Sequence, residues 1–317
     1  MSEIAFVFPG QGSQHVGMGR ALVEAFPYVG ELFAQADEAL GFKLSELCWN
    51  GPSEELVRTQ HTQPALLVCS VAAAQVLQRE LGLGPTLCAG HSLGEYSALV
   101  VAQSLRFADA VRLVHLRGRF MQEAVAEGLG AMAAIVGLAA EIVGELCKNA
   151  SDAQDRCQPA NENGAGQIVI SGHKAAVERA MGLGKAQGAK LCKLLPVSAP
   201  FHSALMEPAA ERLRAELQQT PVELPRLTVV ANIDAAPYPT TGSADAVRER
   251  LFLQVAGTVR WESCVHRLGE LGATAAIEVG PGRVLSGLIK RIAPTLALHS
   301  FAEPAGLLEL GALAKTS

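Results

Sequence analysis

The segment Gly90-His91-Ser92-Leu93-Gly94 has the G-x-S-x-G pattern of a serine set on a sharp turn between a strand and a helix. Residues 86–89 are short and mostly apolar, as the end of a buried strand should be, and residues 95–101 read as the first turns of a helix. The flanking glycines are expected because a tight turn leaves little room for side chains and includes backbone angles that suit glycine. Such a turn lifts the serine oxygen clear of the sheet and aims the helix N-terminal N–H groups at whatever bonds to it. The chemistry implied is attack by Ser92 on an acyl group. The elbow alone leaves the acceptor open, water in a hydrolase or another nucleophile in a transferase. A serine hydroxyl is barely ionised near neutral pH, so it needs a neighbouring base. His91 adjoins Ser92 in sequence, but neighbours on a tight turn point apart, so the base is sought elsewhere in the chain.

The elements that must position this serine alternate along the chain. Residues 4–8 form a short apolar run ended by Pro9-Gly10, a buried strand entering a loop. The loop Gly10-Gln11-Gly12-Ser13-Gln14 lacks the third glycine of G-x-G-x-x-G, because position 15 is His15, and this argues against a dinucleotide site. Helical patterns follow at 18–25, 28–40, 53–58, 63–81 and 107–125. From 130 the rhythm changes to a strand at 131–136, a helix at 139–148, strands at 157–161 and 167–171, a helix at 174–187 and a strand at 189–196. That order is β-α-β-β-α-β, a ferredoxin-like arrangement. Beyond Pro200 come helices at 207–219, 244–254, 262–271 and 284–292, with strands at 228–231 and 276–279. The expected division is a large domain of residues 1–128 and 199–317 and a small inserted domain of residues 129–198.

Bulk properties narrow the function classes. The chain has 317 residues, 49% hydrophobic and 18% charged, enough to bury a sizeable core. A net charge of −5 argues against general nucleic-acid binding. Seven cysteines without a C-x-x-C pair read as reduced, mostly buried thiols, and no metal-ligand spacing appears. The first eight residues lack the pattern of a signal peptide, and the most apolar run, 65–74, is too short to span a bilayer, so a cytoplasmic protein is expected.

Several separated motifs accompany the elbow. They are Phe8-Pro9-Gly10-Gln11-Gly12-Ser13-Gln14, Thr62-Gln63-Pro64-Ala65-Leu66, Gly90-His91-Ser92-Leu93-Gly94-Glu95-Tyr96, Arg117-Gly118 followed by Met121, Pro196-Val197-Ser198-Ala199-Pro200-Phe201-His202-Ser203 and Glu278-Val279-Gly280-Pro281-Gly282. In order and spacing, over essentially the whole chain, they resemble the malonyl-CoA:acyl carrier protein transacylase family of bacterial fatty-acid synthesis. The resemblance implies an α/β fold, with an α/β-hydrolase-like large domain, an inserted ferredoxin-like small domain and the active site between them.

Carried onto this chain, the resemblance makes Ser92 the nucleophile and His202 its base. It implies that the backbone carbonyl of Gln254 orients His202, in place of a triad acid. Here the chain departs from the family, with Val255-Ala256-Gly257-Thr258 where a Tyr and an Asn-Pro are common. Leu93 and Gln11 would supply the oxyanion donors. Arg117 would bind the malonyl carboxylate, which a planar guanidinium matches with two prongs. Arg112 and Arg119 read as surface residues of the same helix. Phe201, Gln63 and Asn161 would line the acyl pocket. The implied partners are malonyl-CoA and acyl carrier protein, with no bound cofactor or metal, and a monomer. Lys185, Lys190 and Lys193, or Arg283, Lys290 and Arg291, are candidates to meet an acidic carrier. If Arg117 reads the carboxylate, Arg117→Ala should lower kcat/KM for malonyl-CoA far more than kcat/KM for acetyl-CoA, by roughly tenfold or more in the ratio of the two. Steady-state rates with both thioesters check this, and equal losses would remove Arg117 from the role.

Overall fold

A computed structural model describes residues 3–314. Among the described residues nine strands form two sheets: β1 (Glu3–Phe8), β2 (Leu87–Gly90), β3 (Gly130–Val136), β4 (Cys157–Glu162), β5 (Gln167–His173), β6 (Leu191–Leu194), β7 (Thr228–Val230), β8 (Ala273–Val279) and β9 (Ala297–Phe301). The larger sheet runs β7-β2-β1-β8-β9 with every neighbouring pair parallel. Counted along the chain within this sheet, the order is 3-2-1-4-5. In such a doubly wound sheet a ligand crevice is expected at the carboxyl ends of the strands, where the order reverses beside β1.

β1 shows why this sheet is covered on both faces. Its side chains alternate, and nearly all are buried. Ile4, Phe6 and Phe8 enter a core with Leu66, Leu99 and Leu113, from the helices Thr59–Leu81, Gly94–Val101 and Phe107–Glu123. Ala5 and Val7 face the opposite core, with Trp261, Val265, Leu285 and Ile289 from the helices Trp261–Glu270 and Val284–Ile292.

The smaller sheet is antiparallel in the order β4-β5-β3-β6, and the helices Ala140–Ala150 and Lys174–Ala186 pack on it through Val143, Leu146, Val177 and Ala180. Strand order and connectivity are those of the ferredoxin-like arrangement. The unit is inserted between β2 and β7, so the fold is a large α/β unit carrying a small ferredoxin-like one. Apart from the single-turn helix Ala204–Met206, three described elements escape the sequence reading: the helix Leu44–Asn50, the edge strand β9 and the helix Gly306–Ala314. Each is short, and only a few of its side chains reach the core, so no clear period marks it. No helix among the described residues is long and apolar enough to cross a membrane.

Two helices set the floor of the crevice. Thr59–Leu81 begins four residues earlier than its pattern predicts and holds Pro64 in its interior. Proline has no N–H to bond back to Gln60, and the freed Gln60 carbonyl accepts instead from His115 Nδ1 at 2.9 Å. The partner helix, Phe107–Glu123, approaches closely at Gly118, where a Cβ would lie 2.6 Å from the Thr59 carbonyl oxygen. This approach brings Arg117 within reach of Gln63. Gly118→Ala should therefore destabilise the protein by about 3 kcal/mol, because the clash with fixed backbone outweighs alanine's helix preference. Gly144→Ala, in the open on the helix Ala140–Ala150, should be neutral or stabilising by up to about 1 kcal/mol. Urea unfolding of both variants checks the contrast.

Candidate active site

The elbow follows β2, and its geometry revises one expectation about the glycines. Neither Gly90 nor Gly94 has a positive φ; the left-handed residue is Ser92 itself, at φ 51°. The glycines are required by space. A Cβ on Gly90 would lie 1.9 Å from the Gly94 carbonyl carbon, and one on Gly94 would lie 2.1 Å from the Phe8 carbonyl oxygen. Gly10 is constrained in the same way, with its Cβ position 2.6 Å from the His91 carbonyl oxygen. Parallel pairing of β1 and β2, with Phe8 opposite Gly90, thus seats the loop after β1 directly on the elbow.

Ser92 Oγ lies 2.7 Å from His202 Nε2. On the other side of the ring, His202 Nδ1 lies 2.9 Å from the Gln254 carbonyl oxygen and 3.1 Å from that of Gly257. Carbonyl oxygens only accept, so Nδ1 carries the proton and Nε2 presents a lone pair to the Ser92 hydroxyl. Two carbonyls, where the resemblance implied one, therefore face the imidazole. His202 is 4% exposed. Burial, with the charge of Arg117 adding to it, lowers its pKa from 6.5 to about 3, which keeps the ring neutral and able to accept a proton.

Arg117 is 1% exposed. Its guanidinium donates to Gln63 Oε1 at 2.8 Å, Gln254 Oε1 at 2.9 Å and Ser92 Oγ at 3.1 Å. All three acceptors are neutral, and its Nε–H has no partner among the described residues. Burial lowers its pKa, against the opposing influence of Tyr96, whose ring centre lies 5.6 Å from the guanidinium carbon, and then of Glu95. Glu95 reaches the guanidinium only through Gln254, whose Nε2 donates to Glu95 Oε2 at 2.6 Å. Glu95 also accepts from the Tyr238 hydroxyl and, at 3.1 Å, from Asn232 N–H. Burial raises its carboxyl pKa to about 7 even so.

The remaining candidates surround a cavity of about 510 Å³. Gln11, Leu93, Gln63, Phe201 and Asn161 all line it together with Ser92, Arg117 and His202. The backbone N–H groups of Gln11 and Leu93 have no hydrogen-bond partner among the described residues. His91 is directed elsewhere: its Nε2 pairs with Asn163 Oδ1 at 2.9 Å, and its ring sits against Trp261. Arg112 is exposed and pairs with Asp109, and Arg119 faces Glu123 across the helix surface. The cysteines are free, and all but the half-buried Cys192 are buried. Among the described residues no cluster of His, Cys, Asp or Glu could hold a metal ion.

Sequence reading assigned no role to Asn232, Glu95 or Tyr238. Asn232 follows β7, where its Oδ1 accepts from Ser92 N–H at 2.7 Å and its Nδ2 donates to the Gly90 carbonyl at 2.7 Å, bracing the elbow across the serine. A polar residue ending the apolar run Val229-Val230-Ala231 was the one available signal.

A parallel α/β sheet with a serine elbow paired to a histidine defines a site for serine-based acyl chemistry, and residues 5–297 match the family model described as acyl transferase domain. The chain belongs to that family, within it to the malonyl CoA-acyl carrier protein transacylases. It is 50% identical over 307 residues to the Escherichia coli (strain K12) malonyl CoA-acyl carrier protein transacylase, covering 97% of this chain and 98% of the relative. An acyl carrier protein S-malonyltransferase from Vibrio cholerae superposes with a TM-score of 0.93 at 45% identity, covering 98% of this chain and 100% of that one. A malonyl-transacylase solved in complex with a type II PKS acyl-carrier protein superposes with a TM-score of 0.92 at 48% identity, covering 97% and 98%.

The depressed pKa of His202 has a consequence for stability. As pH falls below 6.5, the unfolded chain takes up a proton at this histidine that the folded protein refuses until about pH 3. Stability is therefore lost across that window as pH falls. Relative to wild type, His202→Asn should flatten the dependence by about 1.4 kcal/mol per pH unit in the middle of the window. Urea unfolding from pH 7 to pH 4 measures the slope, and parallel lines would contradict a buried neutral imidazole.

Proposed function

We propose that the protein transfers the malonyl group from malonyl-CoA to the phosphopantetheine thiol of acyl carrier protein through a malonyl ester on Ser92. The observation that carries this reading is Arg117: a buried cation with only neutral acceptors and one unused N–H, beside a serine bonded to a neutral histidine. Such a cation is suited to a substrate that brings its own carboxylate.

In the first half-reaction His202 Nε2 takes the Ser92 proton as Oγ attacks the thioester carbonyl. The N–H groups of Gln11 and Leu93 receive the developing oxyanion. The C–S bond breaks, and the departing sulfur recovers the proton from Nε2 as CoA thiol. In the second half-reaction the carrier thiol gives its proton to Nε2, its sulfur attacks the ester, and Ser92 Oγ leaves with that proton. Throughout, the Gln254 carbonyl, with that of Gly257, holds the Nδ1–H and the imidazole plane. Arg117 anchors the malonyl carboxylate, and Gln63, Phe201 and Asn161 shape the pocket around it. The chemistry calls for no metal or bound cofactor, since CoA enters as part of the substrate.

The domain division follows residues 1–128 with 199–317 and residues 129–198; its positions 1–2 and 315–317 lie outside the described residues. Exposed cations stand close in sequence to cavity-lining residues, Lys190 and Lys193 before Leu195–Val197 and Arg283, Lys290 and Arg291 around Val284, and Lys185 is exposed on the helix Lys174–Ala186. They suit an acidic carrier. A cytoplasmic monomer fits the rest of the reading.

Incubation with malonyl-CoA should add one malonyl group to wild-type protein at Ser92 and none to Ser92→Ala, read by mass spectrometry. Carrier protein should then discharge the adduct and gain the malonyl group. Rapid CoA release with free malonate and no carrier loading would instead identify a hydrolase. No adduct at all would favour a non-catalytic docking module.

A further inference from the structure

We infer that Gln158, on strand β4 of the small sheet, is a positioning residue that fixes His202 by stapling together the two backbone segments that hold it. The inference rests on the reading of His202 as the base. The imidazole depends on two separate pieces of chain. One is the turn around residue 202, where His202 itself has φ 56°, a left-handed conformation that a side-chain-bearing residue keeps only when its surroundings enforce it. The other is the end of the helix Asp245–Ala256, which supplies the Gln254 and Gly257 carbonyls to Nδ1. The ring sits correctly only if these two pieces keep their relative position.

The Gln158 carboxamide bridges them. Its Nε2 donates to the Ala256 carbonyl at 3.2 Å and to the His202 carbonyl at 3.4 Å, and its Oε1 accepts from Ala204 N–H at 3.1 Å. One side chain thus bonds the residue before Gly257, the histidine's own carbonyl and the backbone two residues later. Its neighbours extend the same seam. Thr258 Oγ1 donates to the Pro159 carbonyl at 2.8 Å, Val259 N–H donates to the Ala160 carbonyl at 2.8 Å, and Glu162 N–H donates to the Val259 carbonyl at 2.9 Å. β4 is therefore bonded to the chain segment that presents the carbonyls to His202, and the seating of the small unit is transmitted to the ring. Only a carboxamide of this length offers two donors to two carbonyls and an acceptor to an N–H. Glutamate keeps the size and the acceptor but turns two attractions into repulsions. Gln158 makes no contact with Ser92 or Arg117 among its hydrogen bonds, so its effect passes through His202.

The test compares Gln158→Glu and Gln158→Ala with wild type in single-turnover acylation, in carrier loading, in KM and in the imidazole N–H resonance of His202. Both variants should slow both half-reactions roughly tenfold per folded molecule, as expected for a small misplacement of a catalytic group, with KM for malonyl-CoA within about twofold of wild type. Glutamate should be no better than alanine despite its matching volume. The Nδ1–H resonance should broaden or exchange faster in both. Wild-type rates and an unchanged resonance in both variants would overturn the proposal, as would a raised KM at constant kcat, or a loss of stability with unchanged rate per folded molecule. Absence of a Ser92 adduct in wild type would count against the transfer reaction, whereas the His202 resonance reports on the staple independently of it.

Discussion

A guanidinium taken out of water without a paired carboxylate is among the costlier things a fold can contain, and the centre of this protein is arranged around one. Desolvating such an ion costs several kcal/mol even after relaxation. Arg117 recovers part of this from three neutral oxygens on three different elements, and from Glu95 at one remove through Gln254. Gln254 is consequently pinned from both ends, its oxygen by the cation and its nitrogen by the carboxylate and the Ser92 carbonyl. The same residue's backbone carbonyl faces His202. Holding the cation and orienting the histidine are therefore one structural problem with a shared solution.

The histidine pays a related cost. Its ring is neutral because burial and the neighbouring positive charge both oppose protonation. A substrate carboxylate against Arg117 would offset that charge, so the acid group that marks the substrate also makes the base easier to protonate during attack. The arrangement is destabilising in isolation and useful in function, and the surrounding core compensates. The parallel sheet is covered on both faces, and the helices that carry Gln63 and Arg117 meet at a glycine.

Much of this is legible in the sequence. The elbow, the first strand and its loop, the change to a β-α-β-β-α-β rhythm and the helix at 207–219 all follow from local pattern. His202 and Arg117 were legible only through the resemblance, since nothing in Pro200-Phe201-His202 or in an arginine-bearing amphipathic helix distinguishes them from structural residues. Glu95 stood inside a recognised motif, yet a carboxylate in the first turn of a helix ordinarily faces solvent. Its complete burial depends on Tyr238, Asn232 and Gln254, all distant in the chain. β9 was missed because an edge strand with one well-buried side chain carries little periodic signal.

By itself the sequence determined what local sterics and periodicity control. It set which strand ends in a turn too tight for side chains, which residue stands at its apex, and which faces of which elements are apolar. The tertiary structure decided everything that depends on groups meeting across the chain. Ser92 and His202 are 110 residues apart, and Asn232 braces the elbow from 140 residues away. It also decided that the left-handed residue of the elbow is the serine, that two carbonyls face the imidazole, and that the arginine has no carboxylate directly against it. The physical reason is that a turn is governed by contacts within a few residues. A buried charge and its hydrogen bonds are governed by what the whole fold leaves beside them, and no local pattern records that.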